Sequence, residues 1–314
     1  MYYVGIDLGG TTIKGGIVDE KGKIIISKAI PTEAQRSGEE IIKSIALLSK
    51  ELIENAKVPI SSINSIGIGS PGLIDSKNKK IILASNINFK NINVEKEIKK
   101  HINLDIYIEN DANCATVAEF YFGSMKEYNS GIMITVGTGV GGGVIINGKL
   151  LKGEFMGEAE LGHIIVDYSK ESCGCGQKGC LECFASANAI IKHAKMLILE
   201  NKNTKILEFS KNIENIDAKA IFDAYDLQDK LATEVIERFN KYMAIGIVNY
   251  VNIFRPAVIC LGGGVSARKE KLTKPIEKIA EKLIFGNRLE TKIVPAILGN
   301  DAGIIGAAML NKVY

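Results

Sequence analysis

The chain has no tryptophan, only six prolines among 314 residues, and no opening segment that joins a basic stretch, an apolar core and a cleavage site. Without a signal segment, secretion is not expected. Without a proline-rich or low-complexity tract, any boundary between domains is a hinge rather than a tether. An excess of one charge is lacking too: 39 Lys and Arg against 36 Asp and Glu leave +3, which gives no electrostatic footprint for nucleic acid. The most apolar late segment, 244–254, is interrupted by Asn249 and Asn252 and is too short to cross a bilayer. These absences predict a cytoplasmic protein with no membrane partner. There the six cysteines read as buried thiols or metal ligands rather than a disulfide framework.

What is present is glycine, 32 residues clustered in short runs beside apolar strands. The length allows roughly two domains of about 150 residues. Strands are expected over 2–8, 13–18 and 23–30 with tight turns between them, then a helix over 39–56 whose apolar positions Ile41, Ile42, Ile45, Leu48, Leu52 and Ile53 recur at helical spacing. A strand over 63–69 ends in Ser70-Pro71-Gly72. A helix over 94–101 leads to a strand over 104–109, and Asn110-Asp111 opens a helix over 112–122. The scheme restarts with a strand over 131–136, a glycine turn over 137–143 and a returning strand over 144–147. Farther on come helices over 227–254, a strand over 257–261 ending in Gly262-Gly263-Gly264, and a short helix after Asp301. Two copies of strand, Gly/Thr turn, strand predict two related α/β lobes facing a shared cleft.

Two glycine patterns mislead. Gly137, Gly139 and Gly142 fit G-x-G-x-x-G, but a dinucleotide fingerprint must open a helix and here a strand follows. Gly143 to Lys149 resembles a Walker A loop, yet Leu150 stands where a hydroxyl is required. The turns Gly9-Gly10-Thr11-Thr12 and Gly137-Thr138-Gly139 instead offer backbone N–H groups and hydroxyls to one polyphosphate, with Asp7 and Lys14 flanking the first. Asp7 is placed to hold Mg2+ through water. Asp111 is a carboxylate at a strand-to-helix junction, where it can serve as a helix cap, as a general base, or as both.

His163, Cys173, Cys175 and Cys180 give H-x9-C-x-C-x4-C, the Cys3His set of a closed tetrahedral zinc site. Cys183 makes a C-x-x-C with Cys180, so a ligand swap stays open. Cys114 and Cys260 read as small buried residues.

The segments Asp7 to Lys14, Gly69 to Gly72, Glu109 to Asn113, Gly137 to Gly143, Glu160 to His163, Cys173 to Glu182 and Leu261 to Gly264 together resemble the ROK family of sugar kinases and repressors, in the family order and over nearly the whole chain. The resemblance implies two actin-like, ribonuclease H-like lobes: a small one over 1–118 with 301–314 packing back on it, and a large one over 119–300 carrying the zinc loop 163–183. It implies phosphorylation of a hexose by ATP with Mg2+, with structural Zn2+, most of all of glucose to its 6-phosphate, in a homodimer or homotetramer. Asp111 then matches the catalytic base. Gly72, Asn86, Asn110, Glu160, His163 and Glu182 match the sugar side, His163 touching both sugar and metal. Asp7, Gly9 to Thr12, Lys14, Gly137 to Gly139 and Gly262 to Gly264 match the nucleotide side. Cys183 lies outside the family's ligand pattern.

The chain departs from the glucokinase pattern at Phe89, where glucokinases often carry Trp, and at Glu158-Ala159, where they usually carry Ala-Gly. Ala159 to His163 is also similar to N-acetylmannosamine kinases, and a fructokinase of the same family is a further alternative. Ser70-Pro71-Gly72 is similar to the glucokinase side. A ROK repressor would need an N-terminal DNA-binding domain, and here the phosphate motif begins at residue 7.

Overall fold

The computed structural model describes residues 1–84, 87–168, 171–200 and 203–314. Strands β1 (Tyr2–Leu8), β2 (Thr12–Asp19) and β3 (Ile24–Pro31) form the expected antiparallel meander. Helix α1 (Gly38–Asn55) starts at a capping box: Ser37 Oγ accepts the Glu40 N–H, and the Glu40 carboxylate accepts the Ser37 N–H. Its six apolar positions named above are all buried. Strand β4 (Ile63–Ser70) runs parallel to β1. A small antiparallel sheet of β5 (Leu73–Asp75), β6 (Lys80–Ala84) and β7 (Phe89–Asn93) and helix α2 (Val94–Lys99) precede β8 (Asp105–Asn110), which pairs parallel to β4. Helix α3 (Asp111–Phe122) follows without a loop.

The second sheet contains β9 (Gly131–Val136), β10 (Val140–Ile146) and β11 (Lys149–Leu150). Helices α4 (Glu182–Ala185), α5 (Ala187–Glu200), α6 (Ile206–Ser210), α7 (Ala218–Asp226) and α8 (Lys230–Phe254) lead to β12 (Val258–Gly262). Helix α9 (Glu270–Leu283), strand β13 (Lys292–Pro295) and helix α10 (Ala302–Ala308) complete the chain. The expected helices over 227–254 are one 25-residue helix, whose start at Lys230 is set by Asp229 accepting the Ala232 N–H. Among the described residues no helix is long and apolar enough to cross a membrane.

The five-stranded sheets have orders β3-β2-β1-β4-β8 and β11-β10-β9-β12-β13. Each is a three-strand meander extended on the side of its first strand by two later strands, so the duplicated opening extends to whole sheets. One expected boundary shifts. The Gly137 N–H bonds to the Gly139 carbonyl at 3.0 Å, which closes the turn early. The ladder restarts at Val140, and Gly141 to Gly143 lie inside β10 rather than in the turn.

The backbone divides into two compact units, 1–133 with 143–159 and 297–314, and 134–142 with 160–296. The expected lobe boundary at 118 falls inside α3, an unbroken helix that packs on α10 within the first unit. In that unit Val4, Ile6 and Leu8 of β1 pack with α1 on one face of the sheet. Tyr3 and Val18 join Cys114, Val117, Ile304 and Ala307 on the other, the alternation that a strand imposes. Helix α10 lies so close to this second face that a Cβ at Gly67 would sit 1.7 Å from the Ala307 carbonyl oxygen, and one at Gly5 would sit 2.0 Å from that of Ile304. Gly67→Ala is therefore expected to force α10 off the sheet and to destabilise the protein by about 1–3 kcal/mol, read as a lower melting temperature in calorimetry.

Candidate active site

Parallel strands β1, β4 and β8 carry Asp7, Ser70 and Asn110 at their carboxyl ends, and the register sets Asp7 beside Gly69 and Ser70 beside Asn110. Chain reversals beyond such ends gather polar groups at one edge of a sheet, where α/β proteins place ligands. Lys14 faces Asp7 across the β1–β2 pair. The Gly9-Gly10-Thr11-Thr12 turn is closed by the Gly9 N–H donating to Thr12 O at 3.0 Å. It is braced from outside: Thr32, fully buried, donates its hydroxyl to Gly9 O at 2.7 Å and its N–H to Thr11 O at 2.9 Å. Gly72 has φ +97° in the turn after β4, against β6. Asn86 lies outside the described residues.

The cap of α3 falls on Asn110, not Asp111. Asn110 Oδ1 accepts the Ala112 N–H at 2.9 Å and the Asn113 N–H at 3.4 Å. Asp111 is the first helical residue, and the reading of it as the helix cap is thereby replaced. Its Oδ1 accepts the adjacent Ala112 N–H, at 2.9 Å. The side chain meets solvent, yet protein crowds it on most sides. That burial raises its carboxyl above the usual aspartate value, and the hydrogen bonds from Ala112 and its own N–H offset only part of the shift. Burial also raises Asp7. Lys14 opposes this and the nearby Asp111 charge adds to it.

Directly before this pair stands Glu109, 2% exposed. Its Oε1 accepts the Asn110 N–H at 2.8 Å and the Asn113 amide at 3.0 Å. Its Oε2 accepts Ser76 Oγ at 3.1 Å, the Lys152 ammonium and the Tyr314 hydroxyl. Burial alone would raise this carboxyl; Lys152 and the other donors outweigh it and hold the group below the usual glutamate value. A buried acid in that setting stays ionised.

In the second unit the Gly137-Thr138-Gly139 turn is tied to the head of α5 by the Ala187 N–H donating to Gly137 O at 2.9 Å. Glu182, at the start of α4, reaches back to this turn. Its Oε2 accepts the Val140 N–H at 2.9 Å, and a Cβ at Gly139 would lie 2.2 Å from the same oxygen, so the carboxylate occupies the space a side chain there would need. The Gly262-Gly263-Gly264 run starts on the last residue of β12, and Gly263 at φ +82° packs on the Val136 carbonyl. That places the run beside the end of β9.

The ligand atoms of His163, Cys173, Cys175 and Cys180 all lie within 4.8 Å of one another. Tetrahedral zinc with Zn–S of about 2.3 Å and Zn–N of about 2.05 Å separates two sulfurs by roughly 3.8 Å and a sulfur from a nitrogen by roughly 3.6 Å. The separations in the structure are 3.7 Å for Cys175 Sγ to Cys180 Sγ and 3.6 Å for Cys173 Sγ to His163 Nδ1. The donor set fits zinc, with all four positions taken by protein. Cys183 is outside the cluster. Helix α8 supports this loop. Tyr250 donates its hydroxyl to Leu161 O, and Tyr242 donates to Asp167 while stacking on Phe184 with ring centroids 4.0 Å apart. His163 Nε2 lies 4.0 Å from the exposed Glu160 carboxylate, so ligation through Nδ1 would leave the other ring nitrogen on the Glu160 side.

The ROK family model matches residues 3–313. The chain belongs to the ROK family. The glucokinase of Thermotoga maritima is 34% identical over 311 residues, 98% of this chain and 96% of its own. The crystal structure of a ROK family glucokinase from Streptomyces griseus, in complex with glucose and AMPPNP, superposes with a TM-score of 0.83 at 31% identity over 99% of both chains. The xylose repressor of Bacillus spizizenii is 31% identical over 98% of this chain and 76% of its own. The ROK fold is thus the α/β, actin-like architecture expected from the motifs.

Within this ROK chain the expected residues fall into two groups. Asp7, the 9–12 turn, Lys14, Gly72, Asn110 and Asp111 lie in the first unit; Gly137 to Gly139, Glu160, His163, the cysteines, Glu182 and Gly262 to Gly264 lie in the second. Thr32, Lys152, Tyr242, Tyr250 and Tyr314 escaped the sequence reading because each acts from a distant part of the chain with no local pattern. Purified without chelators, the protein is expected to carry about one zinc per chain. Cys175→Ser should lose most of it, as read by elemental analysis.

Proposed function

We propose that this chain is an ATP-dependent hexose kinase whose preferred acceptor is glucose, phosphorylated at the 6-hydroxyl. The observation that carries the reading is the placing of Asp111. Asn110 takes over the cap, which leaves the Asp111 carboxylate available on a fixed first helical turn, in a chain matched end to end by glucokinases.

Asp111 accepts the proton of the sugar hydroxyl as its oxygen attacks the γ-phosphorus. The bond from γ-phosphorus to the bridging oxygen breaks, and ADP leaves. The N–H groups and hydroxyls of the 9–12 and 137–139 turns, with Lys14, hold the phosphates. Gly262 to Gly264 serve the nucleoside end. A magnesium ion entering with the nucleotide would neutralise phosphate charge; Asp7, with its raised carboxyl beside Asp111, is the residue that would hold it through water. Asn110, Glu160, His163 and Glu182 bind sugar hydroxyls, with Gly72 in the turn after β4. Zinc, when bound by its four ligands, supplies structure and no open coordination site.

A second reading is phosphorylation of N-acetylmannosamine. It is favoured by Glu158-Ala159 beside Glu160, where Ala159 takes φ +59°. An N-acetyl group needs a partner for its amide, and an unpaired buried amide costs about 1–3 kcal/mol. A kcat/KM ratio favouring N-acetylmannosamine over glucose would establish the second reading. Absence of turnover across glucose, mannose, fructose, N-acetylglucosamine and N-acetylmannosamine would remove the kinase reading and leave a sugar-responsive regulator, the class of the xylose repressor relative.

Asp111→Asn is expected to keep fold and sugar binding while kcat falls by at least about 100-fold, measured by coupled ADP release. In the parent protein the acid limb of kcat/KM against pH should titrate above the usual aspartate value of 3.8. A base with a raised pKa is protonated, and lost, at a higher pH as acidity increases.

A further inference from the structure

Lys152 stands in the loop after β11 and joins two acidic segments of the first unit. On one side it pairs with buried Glu109, the residue before Asn110-Asp111. On the other it lies 3.3 Å from Glu158 Oε1, whose side chain is 16% exposed, two residues before Glu160. Its ammonium is also 3.3 Å from Ser76 Oγ and 5.0 Å from the centroid of the Tyr314 ring. Between Glu158 and Glu160 the chain passes through Ala159 at φ +59°, a conformation that a residue with a Cβ keeps only where its surroundings over-determine it. One cation thus holds both the strand end that presents Asp111 and the Glu158 segment that ends the first unit just before Glu160.

We propose that Lys152 is a positioning residue for the sugar: by bridging Glu109 and Glu158 it couples the placement of Asn110-Asp111 to that of Glu160. The inference rests on the kinase reading for its effect on turnover, but the bridge itself does not. Removing Lys152 would strand the buried Glu109 charge and endanger folding, so Glu158 carries the main test.

In Glu158→Ala, KM for the hexose is expected to rise about tenfold, the scale of a coupled charge network, with KM for ATP within about twofold and zinc content unchanged. Lys152→Arg, which keeps the charge, should hold KM for the hexose within about threefold of the parent. Amide hydrogen exchange, which needs no substrate, should quicken in Glu158→Ala both over 153–163 and over 109–113. Exchange that quickens only around the substituted residue, or a KM for the hexose that stays within twofold or moves together with that for ATP, overturns the proposal. If the parent protein phosphorylates no hexose, the kinase reading fails, and exchange over 109–113 still decides whether Lys152 couples the two segments.

Discussion

A buried carboxylate must be fully satisfied or it destabilises whatever contains it, and in the first unit that constraint falls on Glu119, held by three backbone N–H groups, and on Glu109 beside the site, whose partners are more widely spread. For Glu109 the consequence reaches furthest. Both of its oxygens are engaged, by a backbone N–H, an amide, a hydroxyl, a phenol and an ammonium. These donors come from β8, α3, the turn after β5, the loop after β11 and the segment after α10. One ionised group therefore gathers five stretches of chain immediately behind Asn110-Asp111. The neighbouring aspartate owes its fixed position to this arrangement and its raised carboxyl chiefly to burial.

The division of roles between Asn110 and Asp111 follows from the same end of β8. A helix start needs an acceptor for its first free N–H groups, and an amide oxygen satisfies them without using a charge. Asn110 supplies that acceptor. The second unit uses a comparable economy at Glu182, which receives the Val140 N–H with one oxygen and lies 3.8 Å from Cys173 Sγ with the other. A single residue thereby ties the second glycine turn to the metal loop.

Periodicity made α1 readable, since the burial of Ile41, Ile45, Leu48 and Leu52 sets a spacing that no strand shares. The Cys/His cluster was readable because thiolate and imidazole chemistry confines metal ligands to a short spacing, and the ligand atoms of His163, Cys173, Cys175 and Cys180 meet within 4.8 Å. The end of the glycine turn at 139 was not, since three glycines inside β10 look like turn residues when the ladder is unseen. Nor was the Glu109 network, because Glu109 and Tyr314 are 205 positions apart and meet only once the sheet is assembled. Local patterns record local hydrogen bonding; a contact closed by tertiary packing leaves no periodic trace.

The order in which the chain visits its two units bears on how the protein is made. Residues 297–314 belong with 1–133, and α10 covers a face of the sheet whose first strand begins at Tyr2. During synthesis, which proceeds from the amino end, that face has α3 but lacks α10 until more than 300 residues have been joined. The second unit, 134–142 with 160–296, has all of its residues earlier. Of the two units, the one begun first is thus the last that can finish folding, and the apolar sheet surface that awaits α10 is what a chaperone would have to shield in the meantime.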